Sequence, residues 1–366
     1  MGRSRPALHL LKTSHADHTL STRLGHDARW CAVEPVPAPG LSADRTDRAK
    51  VLRLAAVVVT HQRLGKLRET VARLLAQPVD HLLVFDNAST DGTAEWLGGI
   101  TDPRLILRRS AQNLGGAGGF SEALREVRDR LDPDWVVVMD DDGRPAPGAM
   151  AAFRAMDRTG WDAVGAAVFH PDGRICEMNR PYRNPFWRGA EFLRTLSGGG
   201  RRGFHLQDPA YAPDAPLVEV DMASFVGLFL SRAALNRAGL PDPRLFIYGD
   251  DQLYTLTMRR RGLRIGFAPG IRFEHDTEAM QGATGLVLNP VWKVYYMYRN
   301  ALIAYRVAAG PFFWPLVPVL AVKWRRKARD YGAEAGRFRR VLAVAMRDGL
   351  AGRLDRSHED VLMLAE

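Results

Sequence analysis

Cysteine is scarce in this chain of 366 residues: Cys31 and Cys176 are the two. That excludes a disulfide framework and a cysteine-rich zinc module, and it suits a reducing compartment. No internal repeat is present. Behind Met1 the one apolar run, Ala7 to Leu11, is broken by His9; a secretory signal needs about 7–15 apolar residues, so none is expected. Gly2 is followed by Pro6 where N-myristoylation calls for Ser or Thr. The longest apolar stretch, Val307 to Val322, has 16 residues and contains Pro311, Pro315 and Pro318. A bilayer span takes about 20, so a membrane-surface or re-entrant contact is expected, with a buried segment of the fold as the competing reading. No Walker A sequence occurs, and the dinucleotide fingerprint fails because Gly116 and Gly118 are followed by Ser121.

Hydrophobic residues make up 46% and charged residues 25%, an ordinary globular composition that excludes a disordered, collagen-like or coiled-coil protein. The net charge is +10. Its source is local: from Arg306 to Arg353 there are 11 basic residues against three acidic ones, a surplus of eight. These lie beside Phe312, Phe313, Trp314 and Trp324, the combination an interfacial anchor on anionic lipid uses. Deleting residues 307–366 is accordingly expected to release the protein from membranes.

Three regions follow from composition and periodicity: an N-terminal extension over 1–50, a domain of alternating strands and helices over 51–290, and a basic helical region over 291–366. Leu54–Val59, His81–Phe85, Leu105–Leu107 and Trp135–Met139 read as buried strands. Helical spacing covers 64–76, 93–97 and 120–131. Strands alternating with helices predict crossover units and a mostly parallel central sheet with flanking helices. Beyond 160 the pattern predicts a hairpin over 163–178, a long loop region over 179–216, a strand region over 218–230, a helix over 251–261 and a strand over 263–267.

Chemistry concentrates at the carboxyl ends of the predicted strands, where open parallel sheets hold ligands. Thr60-His61-Gln62-Arg63 follows the first, Asp86-Asn87 the second, and Asp140-Asp141-Asp142 the fourth. Three adjacent carboxylates repel one another unless a cation offsets them, and Mg²⁺ or Mn²⁺ commonly bridges such carboxylates to substrate phosphates. Alternation along an extended chain puts Asp140 and Asp142 on one side and Asp141 on the other. Asn113-Leu114-Gly115-Gly116-Ala117-Gly118-Gly119 is a turn through which backbone can approach an anionic ligand. Asp250-Asp251 opens a helix, as a cap or as a general base near a substrate hydroxyl. His275 is a core histidine or a metal ligand.

Taken in order, these residues resemble the inverting, nucleotide-sugar-dependent glycosyltransferases of family 2, with the GT-A fold, over about 54–300. The Asn113-to-Gly119 segment followed by a triple aspartate looks most like the bacterial galactofuranosyltransferases. The resemblance implies that Thr60, Arg63, Asp86 and Asn87 hold the nucleoside. Asn113, Gly115 and Gly116 would line the donor site. Asp140 and Asp142, with Asp141 beside them, would bind the nucleotide ribose and a divalent metal, Mg²⁺ or Mn²⁺, and His275 would complete the metal site. Asp251 would be the catalytic base. Leu253 stands where family members often have a further acid, which leaves Asp250 as the helper. Val294-Tyr295-Tyr296-Met297-Tyr298-Arg299-Asn300 looks like a segment recurring after the histidine in membrane-associated members.

The implied donor is a nucleotide sugar, UDP-galactofuranose favoured, and the implied acceptor a polyprenyl-diphosphate-linked glycan of a cell-wall or surface polysaccharide. The expected location is cytoplasmic, peripheral at the inner face of the plasma membrane, in contact with anionic lipid. A dTDP-rhamnosyltransferase of the same fold is the enzyme alternative. A basic nucleic-acid-binding protein is the non-enzyme one; it accounts for the charge but has no recognition motif, so nucleic acid is not an expected partner. The sequence leaves a homo-oligomer open.

Overall fold

Leu54–Thr60 is apolar up to its last residue, and in the computed structural model it forms a strand, β1, buried along its whole length. The structure describes residues 52–277 and 287–366; the expected extension over 1–50 lies outside them. Strand β2 (His81–Asp86) lies parallel to β1 on one side and β4 (Trp135–Asp140) on the other, with β3 (Leu105–Arg109) beyond β2. Helices α1 (Leu64–Leu75), α2 (Thr93–Gly98) and α3 (Gly115–Glu126) make the crossovers, and α4 (Ala149–Ala155) follows. Side chains alternate across the sheet. Leu54, Ala56 and Val58 join Leu67, Val71 and Leu74 of α1 and Phe153 of α4 in one core, whereas Ala55, Val57 and Val59 join Phe120, Ala123 and Leu124 of α3 in a second. A strand covered on both faces needs apolar residues at every position, hence the unbroken run.

The second half adds β5 (Gly143–Pro145), β6 (Ala163–Phe169), α5 (Gly189–Arg194), β7 (Val218–Val220), β8 (Leu228–Ser231), α6 (Arg232–Ala238), α7 (Asp250–Arg260) and β9 (Ile265–His275). The sheet order is β3-β2-β1-β4-β8-β6-β9-β5, with β7 on β9. Here β8 runs antiparallel to β4 and β6, and β5 and β7 run antiparallel to β9. The sheet is therefore mixed, parallel in its first half, rather than mostly parallel throughout.

The expected hairpin over 163–178 does not form. β6 is paired with β9 along its length and with β8 over 163–165, so its return is limited to one bridge, Phe169–Ile175, before a turn at Glu177–Asn179. The region 218–230 is two strands separated by 221–227. The expected loop region over 179–216 contains α5 and several single helical turns. The glycine segment, expected as a turn, is already the first turn of α3. The last strand is longer than expected. A register shift opposite Ala166 and Ala167 absorbs Pro269, Gly270 and Ile271, so β9 continues until His275 lies across from Gly143.

Helices α8 (Lys293–Ala309), α9 (Phe313–Arg326), α10 (Ala335–Ala351) and α11 (His358–Leu364) follow. They share a third core that includes Tyr295, Leu302, Phe338, Val341 and Leu342. By length and composition the helical stretch Lys293–Ala351 passes as a membrane span, yet left-handed Gly310 and Gly332 break it. The apolar stretch over 307–322 divides by face. Phe313 and Leu320 are buried, whereas Phe312, Trp314, Val319 and Val322 are 53%, 63%, 61% and 51% exposed. Gly349 of α10 sits so close to α8 that an added Cβ would lie 2.9 Å from Arg299 O. Deleting 307–366 would strip α8 of this core, so point substitutions on the exposed face replace deletion as the membrane test.

Candidate active site

Three strand ends converge. Thr60 is in register with Asp86, and Val59 with Asp140, so β1, β2 and β4 deliver their polar residues to one edge. Asp141 points back toward β1: Thr60 Oγ1 donates to its Oδ2 at 2.8 Å, and Arg63 Nη1 to its Oδ1 at 3.3 Å. Thr70 Oγ1 on α1 secures the Asp141 carbonyl at 2.7 Å. Asp142 receives Arg63 Nη1 at 2.6 Å and faces His275 Nε2 at 3.2 Å. Ligand atoms of Asp140, Asp142 and His275 all lie within 4.8 Å of one another. Two carboxylates and an imidazole are a donor set suited to Mg²⁺ or Mn²⁺, so these residues fit the expected metal.

The same residues are tightly coupled electrostatically. Burial, and then the Asp142 charge, raise Asp140 to about 7. Burial raises Asp141 to about 6 despite Arg63. Burial disfavours charge on Asp142 as well, but His275 and Arg63 hold it below the usual carboxylate range. Burial likewise disfavours a charged His275, yet the hydrogen bond to Asp142, the Cys176 contact and the Asp142 and Asp140 charges lift it to about 10. A proton on His275 thus supplies the positive charge that these acids require.

Asn179 was not legible as a site residue. It lies in the turn after β6, and its Oδ1 accepts from His275 Nδ1 at 2.7 Å while its Nδ2 donates to Ser224 Oγ at 2.9 Å. An amide oxygen can only accept, so Nδ1 carries a proton whether the ring is neutral or charged, and Nε2 is turned toward Asp142. That is the outer-shell arrangement that orients metal-binding histidines.

The second strand end is a separate knot. Asp86 is fully buried; its Oδ1 accepts from Ser89 N at 2.9 Å, and its Oδ2 lies 3.2 Å from Arg109 Nε. Asn87 Nδ2 donates to Asn113 Oδ1 at 3.1 Å and to Gly115 O at 2.9 Å, and its Oδ1 accepts from Leu114 N at 2.8 Å. Asn113 Oδ1 also accepts from Gly115 N at 2.8 Å. Asn87 and Asn113 thereby tie the end of β2 to the start of α3. Beside them a hollow of about 440 Å³ is lined by Ala88, Thr90, Arg109, Ser110 and Ala111. Arg109 is a second residue the sequence did not single out, although a basic residue ending a third strand was a usable signal.

Gly115 requires glycine on two counts. Its φ is +71°, and a Cβ would lie 2.2 Å from Phe246 O. At Gly116 a Cβ would meet nothing within 4 Å. Phe246 belongs to the loop leading into α7, whose first residues are Asp250 and Asp251. Gly249, at φ +73°, occupies the capping position, so neither aspartate is the N-cap, although Asp251 Oδ1 accepts from Gln252 N of the first turn at 2.6 Å. Both carboxyls are pushed upward: burial acts first on each, and the Asp251 and Asp140 charges add to it on Asp250. Asp251 in turn contributes to the raised Asp140, so the acidic pair and the triple aspartate share one electrostatic site. Gln252 Nε2, next along α7, donates to Tyr182 OH at 2.7 Å.

A sequence model of Glycosyl transferase family 2 matches residues 55–209. Galactofuranosyltransferase GlfT1 of Mycolicibacterium smegmatis is 29% identical over 217 residues, which are 58% of this chain and 67% of that protein. GlfT1 of Mycobacterium tuberculosis is 30% identical over 219 residues, 59% of this chain and 66% of that protein. The chain thus matches about two thirds of these relatives' own length. Among solved structures, the mannosyltransferase PcManGT of Pyrobaculum calidifontis, in complex with GDP-Man and Mn²⁺, covers 87% of this chain and 80% of its own at a TM-score of 0.46 and 18% identity. Over residues 55–209 this chain matches Glycosyl transferase family 2, and its likeness is to the galactofuranosyltransferases.

Proposed function

We propose that the protein is an inverting transferase that moves galactofuranose from UDP-galactofuranose to a hydroxyl of a polyprenyl-diphosphate-linked glycan. The observation that carries the reading is the juxtaposition of the Asp140–Asp142–His275 group with the acidic pair at the start of α7. The identity to two galactofuranosyltransferases supports the choice of donor. The nucleoside lies along the ends of β1 to β3, against Thr60, Arg63, Asp86 and Asn87, with Arg109 beside them. Asn113, Gly115 and Gly116 line the donor site. Asp140, Asp142 and His275 hold Mg²⁺ or Mn²⁺, which when bound neutralises charge growing on the leaving diphosphate. Asp251 accepts the proton of the acceptor hydroxyl, whose oxygen attacks the anomeric carbon from the face opposite the diphosphate. One displacement inverts the configuration and needs no enzyme nucleophile. Asp250, held toward its neutral form, adds no second charge beside the base.

Phe312, just before α9, and the exposed Trp314, Val319 and Val322 of α9, followed by Lys323, Arg325 and Arg326, dock on anionic lipid at the inner face of the plasma membrane. That places the site beside a lipid-linked acceptor. The test is mass analysis of products after incubation with UDP-galactofuranose or dTDP-rhamnose, a lipid-linked glycan and Mn²⁺. A gain of one or more hexose units from the UDP donor supports the reading; a deoxyhexose gain from dTDP-rhamnose alone refutes the donor and leaves the reaction class.

A further inference from the structure

The segment Tyr295-Tyr296-Met297-Tyr298-Arg299-Asn300 has no role in the chemistry above, although Arg299 and Asn300 are wholly buried. What they touch is backbone. Pro243–Leu245 is a single helical turn, after which Phe246 takes φ +65° and ψ −69°. Ile247 N bonds Leu245 O at 2.9 Å, which closes a γ-turn of the strained, positive-φ kind. Tyr248 and Gly249 are also left-handed, at φ +66° and +73°. Three such residues in four persist only if their surroundings over-determine them.

The surroundings do so. Arg299 Nη2 donates to Arg244 O at 2.9 Å and Leu245 O at 3.0 Å. Asn300 Nδ2 shares its protons among Leu245 O, Ile247 O and Tyr248 O at 3.0, 2.9 and 2.8 Å. Ala117 N, in the glycine-rich first turn of α3, takes Phe246 O at 3.0 Å. Every carbonyl from Arg244 to Tyr248 therefore has a donor. Arg299 Nε fixes Asn300 Oδ1 at 2.8 Å, and the guanidinium lies 5.1 and 5.0 Å from the rings of Tyr295 and Tyr296. The Phe246 ring is stacked on Tyr296 and on His358 of α11, with centroids 4.9 and 4.2 Å apart.

We propose that Arg299 and Asn300 are positioning residues: from α8 they hold the strained 244–248 backbone against the start of α3 and so set the distance between the donor-binding glycines and the Asp250–Asp251 pair. The C-terminal helices are then part of the active-site scaffold as well as a docking surface. This rests on Asp251 being the base.

The test compares full-length Asn300→Ser and Asn300→Asp with Leu302→Ala, a core change on the same helix that touches no loop carbonyl. The readouts are amide hydrogen exchange, UDP binding with Mn²⁺, and kcat and KM with UDP-galactofuranose. The Asn300 variants are expected to exchange faster over 244–251 and 115–119, to bind UDP as the wild type does, and to lose about 100-fold in kcat, the scale of a misplacement of around 1 Å. Leu302→Ala should lose stability but keep kcat. Normal exchange and kcat in folded Asn300 variants, or losses no different from those of Leu302→Ala, would overturn the proposal. So would failure of both Asn300 variants to fold where Leu302→Ala folds, since the pair would then determine the fold. If the wild type transfers no galactofuranose, the donor reading fails, while hydrogen exchange still tests the clamp.

Discussion

Gly115→Ala is the substitution whose cost the structure sets most closely. An L side chain in the left-handed region costs about 1–2 kcal/mol, and Gly115 sits there at φ +71°. The new Cβ would stand 2.2 Å from Phe246 O and 2.7 Å from Phe246 C, both backbone atoms that no rotamer can move aside. Relief requires the 244–248 loop to retreat, which breaks the Ala117 N to Phe246 O bond and adds about 1 kcal/mol. The total is roughly 3 kcal/mol, a large share of an ordinary stability of about 5–15 kcal/mol. Gly116→Ala is the internal control. It lies one residue on, in the same helix and with open space around its Cβ, so it should be neutral or stabilising by roughly 0.5–1 kcal/mol. Urea denaturation of both variants reads the difference, and turnover of Gly115→Ala should fall with the displaced loop. If Gly115→Ala were as stable as Gly116→Ala, the close packing of α3 on the loop would be wrong.

Further outcomes follow from the metal group and the apolar face. Mn²⁺ must displace the His275 proton, and with His275 near 10 its affinity should rise by about tenfold per pH unit from pH 7 to 9. Asp140, near 7, adds a second proton below that, so binding weakens more steeply in acid; calorimetry in buffers of different ionisation heat counts the protons, and an affinity flat in pH would remove His275 from the ligands. Asn179→Ala frees the His275 ring and should weaken Mn²⁺ by about 10–100-fold without touching a ligand; unchanged binding would deny Asn179 that role. Trp314→Ser with Val319→Ser alters only exposed side chains, so folding should persist while co-sedimentation with phosphatidylglycerol vesicles falls; equal sedimentation would move the membrane contact elsewhere.

The first half of the fold was readable because β1, β2 and β4 are covered on both faces and apolar between their ends, and because α1 repeats Leu67, Val71 and Leu74 on one stripe. What misled were glycines and prolines, whose local meaning is a break but whose tertiary meaning is proximity. Gly118 and Gly119 lie inside α3 because a Cβ would come within 2.6 Å of Leu114 Cβ and 2.5 Å of Val59 Cγ1; close packing, not a turn, selects them. Pro269 and Gly270 sit in the bulge that carries β9 on to His275. The triple aspartate and His275 raised the expectation of a metal site by residue type, and the fold brings Asp140, Asp142 and His275 together. Asn179, Arg299 and Asn300 could not, because one polar residue in a turn and two in a helix acquire meaning only through partners 52 to 96 residues away.

Asp251→Asn bears most directly on the claim that this acid is the base of an inverting transfer. With UDP and Mn²⁺ for binding, and UDP-galactofuranose with a lipid-linked glycan for turnover, the variant should bind the nucleotide as the wild type does and lose transfer by about 100-fold or more, the scale of a missing general base. Turnover near that of the wild type would contradict it.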